Sequence, residues 1–283
     1  MHKTASAERN SMIKEKSNHR VARLFRDRNS DTKIMSLFLT AGYPDLDSTA
    51  DLILGFEENG ADMVELGMPF SDPLADGPTI QYSSNRAIEN GITMDAIFEM
   101  VREVRTKSEI PIILMGYVNP VIRYGIDRFC EQAADAGVDG LIIPDLPVEE
   151  SGILEEKAGE FDLPVIYLVA PNTSDKRMQV IDDKSEGFVY CVSVTGVTGA
   201  RDGQEVSKSV NRFIERVRKN ITKNPTMVGF GIKSHEDAKK IARDMDGFIV
   251  GSALIETIRS HYPDKGWKEE VFAFVRGLKY GKN

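Results

Sequence analysis

Cysteine is scarce in this chain. Cys130 and Cys191 stand far apart, both in apolar surroundings. Two such residues provide neither a disulfide framework nor a metal-ligand spacing, and they fit a reduced, cytoplasmic setting. Histidine is almost as sparse. His2, His19, His235 and His261 form no ligand set and no triad pattern. No apolar run approaches the roughly 18 residues of a membrane span. Positive charge is not in excess: 36 Lys and Arg face 44 Asp and Glu, a formal charge of -8. That balance argues against nucleic acid as a partner, yet leaves room for a small anion, because backbone N–H groups bind phosphate locally. No Pro- or Gly-rich linker divides the chain, so one domain is expected. Residues 1–18 are polar and lack the apolar segment of a secretory signal. A disordered tail is expected over 1–17 and a catalytic domain over 18–283, with Met12 as an alternative start. The basic, Ser-containing tail also has a transit-peptide reading, which Glu8 and Glu15 oppose.

What is present is a repeated alternation of short β-branched runs and longer helical patterns, in a chain that is 41% apolar. Strands are expected at Ile34–Thr40, Met63–Leu66, Ile112–Met115, Gly140–Ile143, Val165–Val169, Phe188–Ser193, Met227–Gly229 and Phe248–Val250. Helices are expected at Ser48–Asn59, Thr93–Lys107, Ile126–Ala136, Glu149–Phe161, Ser174–Asp183, Glu205–Lys219 and Ser234–Arg243, then near Ala253–Ser260 and Lys268–Lys279. The strands are near-continuous apolar runs, as in a parallel sheet covered on both faces. Eight β–α units in about 250 residues point to an α/β fold of the (β/α)8 TIM-barrel type. An extra N-terminal helix precedes the first strand, and Pro78–Asn90 is a helical insert after the second.

A barrel of this type carries its site at the C-terminal ends of the strands. The run from Glu65 to Gln81 is the most informative stretch there. It ends an apolar strand on Glu65, then carries Asp76 on a loop rich in Pro and Gly. A carboxyl at the mouth of a buried strand is costly to ionise and has a raised pKa. Two acids in different surroundings suit one proton shuttle and one charged stabiliser. Each also has a plainer reading: Glu65 as a buried structural acid, Asp76 as a turn or cap residue. Gly-bearing turns follow three consecutive strands, at Thr195–Arg201, Phe230-Gly231-Ile232 and Gly251-Ser252-Ala253. Gly251-Ser252 also opens a helix, so these turns read together as a phosphate site. Phe38 and Ile80 lie where an apolar ligand wall or ordinary core is equally at home. Asp145, between two prolines, reads as orienting a loop or a partner contact.

These motifs resemble the α subunit of tryptophan synthase. The resemblance rests on Phe38–Pro44, the whole Glu65–Gln81 run, Pro144–Ser151, Gly196–Ala200, Gly229–Ile232 and Gly251–Ala253, and it extends over nearly the whole barrel. It implies retro-aldol cleavage of indole-3-glycerol phosphate to indole and glyceraldehyde 3-phosphate, with no cofactor in this chain. Glu65 would be the general acid/base and Asp76 the carboxylate on the indole N–H. Phe38, Ile80, Met115, Leu168 and Tyr190 would meet the substrate, and Thr198 would position Asp76 when a lid closes. Gly199, Phe230, Gly231, Gly251 and Ser252 would hold the phosphate. The implied partner is a β subunit carrying pyridoxal phosphate, in an αββα assembly. Pro69–Gln81, Asp145 and Thr195–Arg201 would be the communicating elements. Departures from the family pattern are Met68, Pro120 and the long N-terminal tail. Three alternatives remain open at this level: a stand-alone lyase using the same residues, another phosphate-binding barrel, and a non-catalytic subunit that only modulates a partner.

Overall fold

The computed structural model describes residues 19–29, 32–192, 203–229 and 231–281. The chain enters through a short helix, α1 (Arg20–Asp27), and then alternates strands and helices. The strands are β1 (Ile34–Thr40), β2 (Met63–Gly67), β3 (Ile112–Met115), β4 (Gly140–Ile142), β5 (Val165–Ile166), β6 (Leu168–Val169), β7 (Val189–Val192), β8 (Thr226–Gly229) and β9 (Gly247–Val250). All neighbouring strands pair in parallel, in the order β5-β4-β3-β2-β1-β9-β8-β7-β6.

The expected strand at Val165–Val169 is broken at Tyr167 into β5 and β6, which is the main difference from the sequence reading. The first half pairs with β4 and the second with β7. One extended segment thus serves both edges and closes the sheet, so nine short strands occupy eight positions of a barrel. Sharing one segment between two neighbours that diverge with the twist accounts for the break.

The outer shell consists of α2 (Ser48–Glu58), α3 (Pro78–Glu89), α4 (Met94–Arg105), α5 (Val118–Tyr124), α6 (Ile126–Ala136), α7 (Gly152–Glu160), α8 (Asp175–Lys184), α9 (Gly203–Asn220), α10 (His235–Ile241), α11 (Ser252–His261) and α12 (Trp267–Tyr280). Side-chain caps mark several starts. Thr93, Ser174 and Ser234 accept the N–H of Ala96, Arg177 and Asp237. The short helix α5 was not foreseen. Its Pro120 sits in the first turn, where a missing N–H removes no helical bond.

Alternation along the strands divides the core in two. One inward residue per barrel position builds the interior: Ile34, Met63, Ile113, Ile142, Ile166, Phe188, Met227 and Ile249. Val21 and Phe25 of α1 join this cluster from below, with Phe25 tilted against Phe188 at 5.9 Å between ring centroids. The outward residues pack under the helices in a second, larger cluster. Complete burial of each such side chain contributes about 1.5–3 kcal/mol.

Three aspartates set the strand register at the N-terminal end by the same two-point contact. The Asp62 N–H donates to the Met35 carbonyl, and the Met35 N–H donates to the Asp62 carboxylate. Asp139 repeats this with Ile112, and Asp246 with Thr226. Each also meets a cation: Lys279 on Asp62, Arg105 and Arg20 on Asp139, Arg28 on Asp246.

Candidate active site

At the C-terminal end of the strands the inward positions change character. The strand interiors are buried, but Phe38, Met115, Leu168, Tyr190 and Gly229 each remain partly exposed, and Gly251 beyond β9 joins them. Five barrel positions therefore open towards this end of the strands, together with the residue after β9. Glycine makes part of this room. A Cβ on Gly229 would lie 2.6 Å from the Tyr190 hydroxyl, and one on Gly67 would lie 2.5 Å from the Phe38 ring. The two aromatic rings lean into space that any other residue would fill.

Glu65 sits directly beneath this opening, in register with Phe38 on β1 and Ile113 on β3. It is 0% exposed. The Ser36 hydroxyl donates to Oε1 at 3.0 Å, whereas Oε2 has no hydrogen-bond partner among the described residues. Burial pushes the carboxyl up to about 8, and the Ser36 hydrogen bond pulls the other way. Glu65 therefore holds its proton near neutrality yet lies within reach of losing it. An unsatisfied buried carboxyl oxygen is expensive in a core and needs a functional reason.

Asp76 lies on the loop between β2 and α3. Its N–H donates to the Pro73 carbonyl at 3.0 Å, and its own carbonyl accepts the Gln81 amide at 2.9 Å. Those contacts fit the turn reading of the backbone but leave the carboxylate aimed elsewhere. Burial raises its pKa, while a hydrogen bond from the Tyr117 hydroxyl lowers it. That same hydroxyl accepts the Ala75 N–H at 2.9 Å, and the Tyr117 ring tilts against Phe70 at 5.4 Å. Tyr190 is the common neighbour of the two acids. Its hydroxyl is pushed well up by burial first, then by the charges of Glu65 and Asp76. Among the described residues neither acid forms an ion pair.

Met115, Leu168 and Tyr190 pack on the interior cluster, and Ile80 lies in the first turn of α3, packed on the outer one. Gly251 caps α11 and Ser252 opens it, both at the barrel mouth, and a Cβ on Gly251 would stand 3.4 Å from the Cβ of Phe38. Gly231 has a φ of +55° and open space where a Cβ would stand. Thr198, Gly199 and Phe230, with the rest of Thr195–Arg201, lie outside the described residues. Asp145 accepts the Val118 N–H at 2.9 Å and so anchors the start of α5, immediately after Tyr117. Ser36 and Tyr117 are the partners of the two acids that sequence reasoning did not assign. A lone hydroxyl in the apolar run Ile34–Leu39, on the same side of β1 as Phe38, was the available signal for Ser36.

A parallel barrel that holds a buried acid with a raised pKa and a second acid at one mouth, close to a helix N-terminus, offers groups suited to acid–base chemistry on an anionic ligand. This is an enzyme of the (β/α)8 class. Residues 25–280 match the family model described as "Tryptophan synthase alpha chain". The tryptophan synthase alpha chain of a Thermoanaerobacter species is 46% identical over 247 residues, covering 87% of this chain and 93% of that one. The alpha chain of Geobacter sulfurreducens is 45% identical, covering 92% and 97%. The crystal structure of tryptophan synthase subunit alpha from Legionella pneumophila superposes with a TM-score of 0.84 at 37% identity, covering 94% of this chain and 98% of that one. A chain of the tryptophan synthase complex from Pyrococcus furiosus superposes with a TM-score of 0.78 at 37% identity, covering 87% of this chain and 97% of that one. The chain belongs to the tryptophan synthase alpha chain family.

Proposed function

We propose that Glu65 and Asp76 together carry the α reaction of tryptophan synthase in this chain. That reaction cleaves indole-3-glycerol phosphate to indole and glyceraldehyde 3-phosphate in the biosynthesis of L-tryptophan. It is a carbon–carbon lyase reaction that uses no cofactor of this chain. The observation that carries the assignment of roles is the buried Glu65 carboxyl, protonated up to about pH 8 with one oxygen free, at the same mouth as Asp76.

The steps follow from those protonation states. Protonated Glu65 gives its proton to indole C3, which turns the ring into an indolenine with positive charge near N1. Asp76 accepts the indole N–H and stabilises that charge, in a site where little water screens it. The Glu65 carboxylate then takes the proton of the side-chain hydroxyl next to C3. The C–C bond breaks, the hydroxyl carbon leaves as the aldehyde, and the bond electrons restore the aromatic indole. Glu65 ends protonated, ready for the next turnover. Phe38, Ile80, Met115, Leu168 and Tyr190 wall the indole. Gly231, Gly251 and Ser252 bind the phosphate through backbone N–H groups, in company with Gly199 and Phe230, and Thr198 meets Asp76 on closure.

The partner is the tryptophan synthase β subunit, which holds pyridoxal phosphate, in an αββα assembly that passes indole between subunits. The barrel domain spans 18–283, preceded by a tail, and works in the cytoplasm. No helix among the described residues is long and apolar enough to cross a membrane. The test is indole formation from indole-3-glycerol phosphate by the purified chain, alone and with a tryptophan synthase β subunit. Weak activity alone and a large gain with the partner are expected. Full activity alone would mean a stand-alone lyase, and none in either condition would overturn the reading.

A further inference from the structure

Two outer helices point their N-termini at the barrel mouth and touch each other. Helix α3 starts two residues after Asp76, with Gly77 as its N-cap and Pro78 in its first turn. Helix α11 starts at Ser252. The Thr79 hydroxyl of α3 donates to Glu256 Oε1 of α11 at 2.9 Å. One turn further along, Arg259 of α11 lies over the Tyr82 ring of α3, with Cζ 5.1 Å from the centroid. Arg259 also meets Glu256 Oε2 at 3.5 Å, which ties the two contacts together.

This seam differs from the other attachments of α3. Farther along α3, Ser83 is buried and exchanges a hydrogen bond with Thr40 at the end of β1, 2.6 Å away, which anchors that turn to the barrel wall. The first turn has Thr79. Asp76 in turn is stapled to that turn, because the Gln81 side chain holds the Asp76 carbonyl and the Ile80 and Gln81 N–H groups both bond to Gly77. A shift of the first turn of α3 relative to β1 therefore carries Asp76 with it, and among the described residues Thr79–Glu256 is the polar contact that ties this turn to α11.

We propose that Thr79 and Glu256 form a positioning pair that couples the phosphate-binding end of α11 to the placement of the Asp76 carboxylate. The proposal rests on the roles assigned above to Asp76 and to the α11 N-terminus. An anion drawn to Gly251 and Ser252 pulls on a helix that is hydrogen-bonded, one turn along, to the segment bearing Asp76. Binding energy from the non-reacting phosphate is thereby used to orient the group that stabilises charge at the indole. Neither residue belongs to the indole wall or the phosphate turns assigned above, so the pair affects turnover more than binding.

The experiment compares Thr79→Val, Thr79→Ser, Glu256→Ala, Glu256→Gln and Thr79→Val/Glu256→Ala with wild type and Asp76→Asn, each in complex with the β subunit. Indole formation yields kcat and KM, glycerol 3-phosphate titration reports the phosphate end, and thermal unfolding reports the fold. In Thr79→Val and Glu256→Ala, kcat should fall roughly tenfold to a hundredfold, since a displacement of about 1 Å has that effect on oriented groups. The midpoint of unfolding and the affinity for glycerol 3-phosphate should stay near wild type. Thr79→Ser keeps the donor and Glu256→Gln keeps an acceptor, so both should retain wild-type kcat. The double variant should be no worse than either single one, because both remove one shared contact. Wild-type kcat in Thr79→Val, beside a strongly impaired Asp76→Asn, overturns the coupling alone. A fall in kcat that Thr79→Ser or Glu256→Gln shares, or that follows a loss of thermal stability, also overturns it. Unimpaired turnover in Asp76→Asn overturns the coupling and the acid pair together.

Discussion

The barrel carries buried or half-buried acids at both ends, and the two ends treat them in opposite ways. At the N-terminal end, Asp62, Asp139 and Asp246 each clasp the backbone of the neighbouring strand and each meet at least one cation. Burial raises Asp139 on balance even so, although Arg105, the Ile112 N–H and Arg20 all pull it down. At the C-terminal end, Glu65 has one hydroxyl donor and a free oxygen, and Asp76 has the Tyr117 hydroxyl. An acid surrounded by donors and cations is committed to one state and serves as structure. Glu65, deprived of them, keeps a proton that substrate can exchange. The difference lies in the place as well as the partners: Asp62, Asp139 and Asp246 each immediately precede a strand, whereas Glu65 lies within β2 and Asp76 on the loop after it.

The comparison can be broken from either side. The largest effect is expected for Glu65→Gln, which should lower kcat by roughly 10²–10⁴-fold while the chain stays folded. Substantial turnover in that variant would return Glu65 to the structural class. The pH dependence gives this acid a second signature. Below its ordinary value of 4.5 the carboxyl is neutral in both states; between there and about 8 the unfolded chain ionises while folded Glu65 keeps its proton. Glu65 therefore subtracts stability as pH rises through that window, and the loss is constant above about 8. Denaturant unfolding should show Glu65→Gln gaining on wild type by on the order of 3 kcal/mol between pH 5 and pH 8. In the wild type, kcat/KM should fall as pH rises through about 8, because the resting acid loses its proton.

Next comes Asp139→Ala at the opposite end. It removes the buried carboxylate shared by Arg20 and Arg105, leaves the Ile112 N–H unpaired, and should reduce stability by about 3–5 kcal/mol in denaturant titration, with kcat of the folded fraction unchanged. A kcat effect there would mean the two ends are not separate. Asp76→Asn follows, with kcat down roughly 10²–10³-fold and little change in stability by thermal unfolding, since its backbone turn needs no carboxylate. The smallest effect marks the control. Lys268→Ala breaks an exposed pair with Asp51 and should shift stability by no more than about 0.5 kcal/mol, read in the same denaturant titration.

Much of the fold was legible because it rests on local pattern. Ile34–Thr40 and Ile112–Met115 follow directly from apolar runs, and α6 (Ile126–Ala136) follows from its helical spacing. Glu65 and Asp76 were legible as candidates because acids at a strand end and in a Pro–Gly loop are out of place in a core. Helix α5 was missed because its seven residues carry no helical period. Ser36 and Tyr117 were not assigned because their roles exist only across strands, through partners 29 and 42 positions away.

By itself, then, the sequence determined the alternation of strands and helices, the parallel barrel they imply and the end of it where the two candidate acids lie, since periodicity and turn composition act between near neighbours. Only the tertiary structure decided how Val165–Val169 divides to close the barrel, which acids receive cations and which go without, and that Thr79 meets Glu256. Closure, desolvation and pairing across the barrel depend on residues distant in the chain, and no local pattern encodes the distance between them.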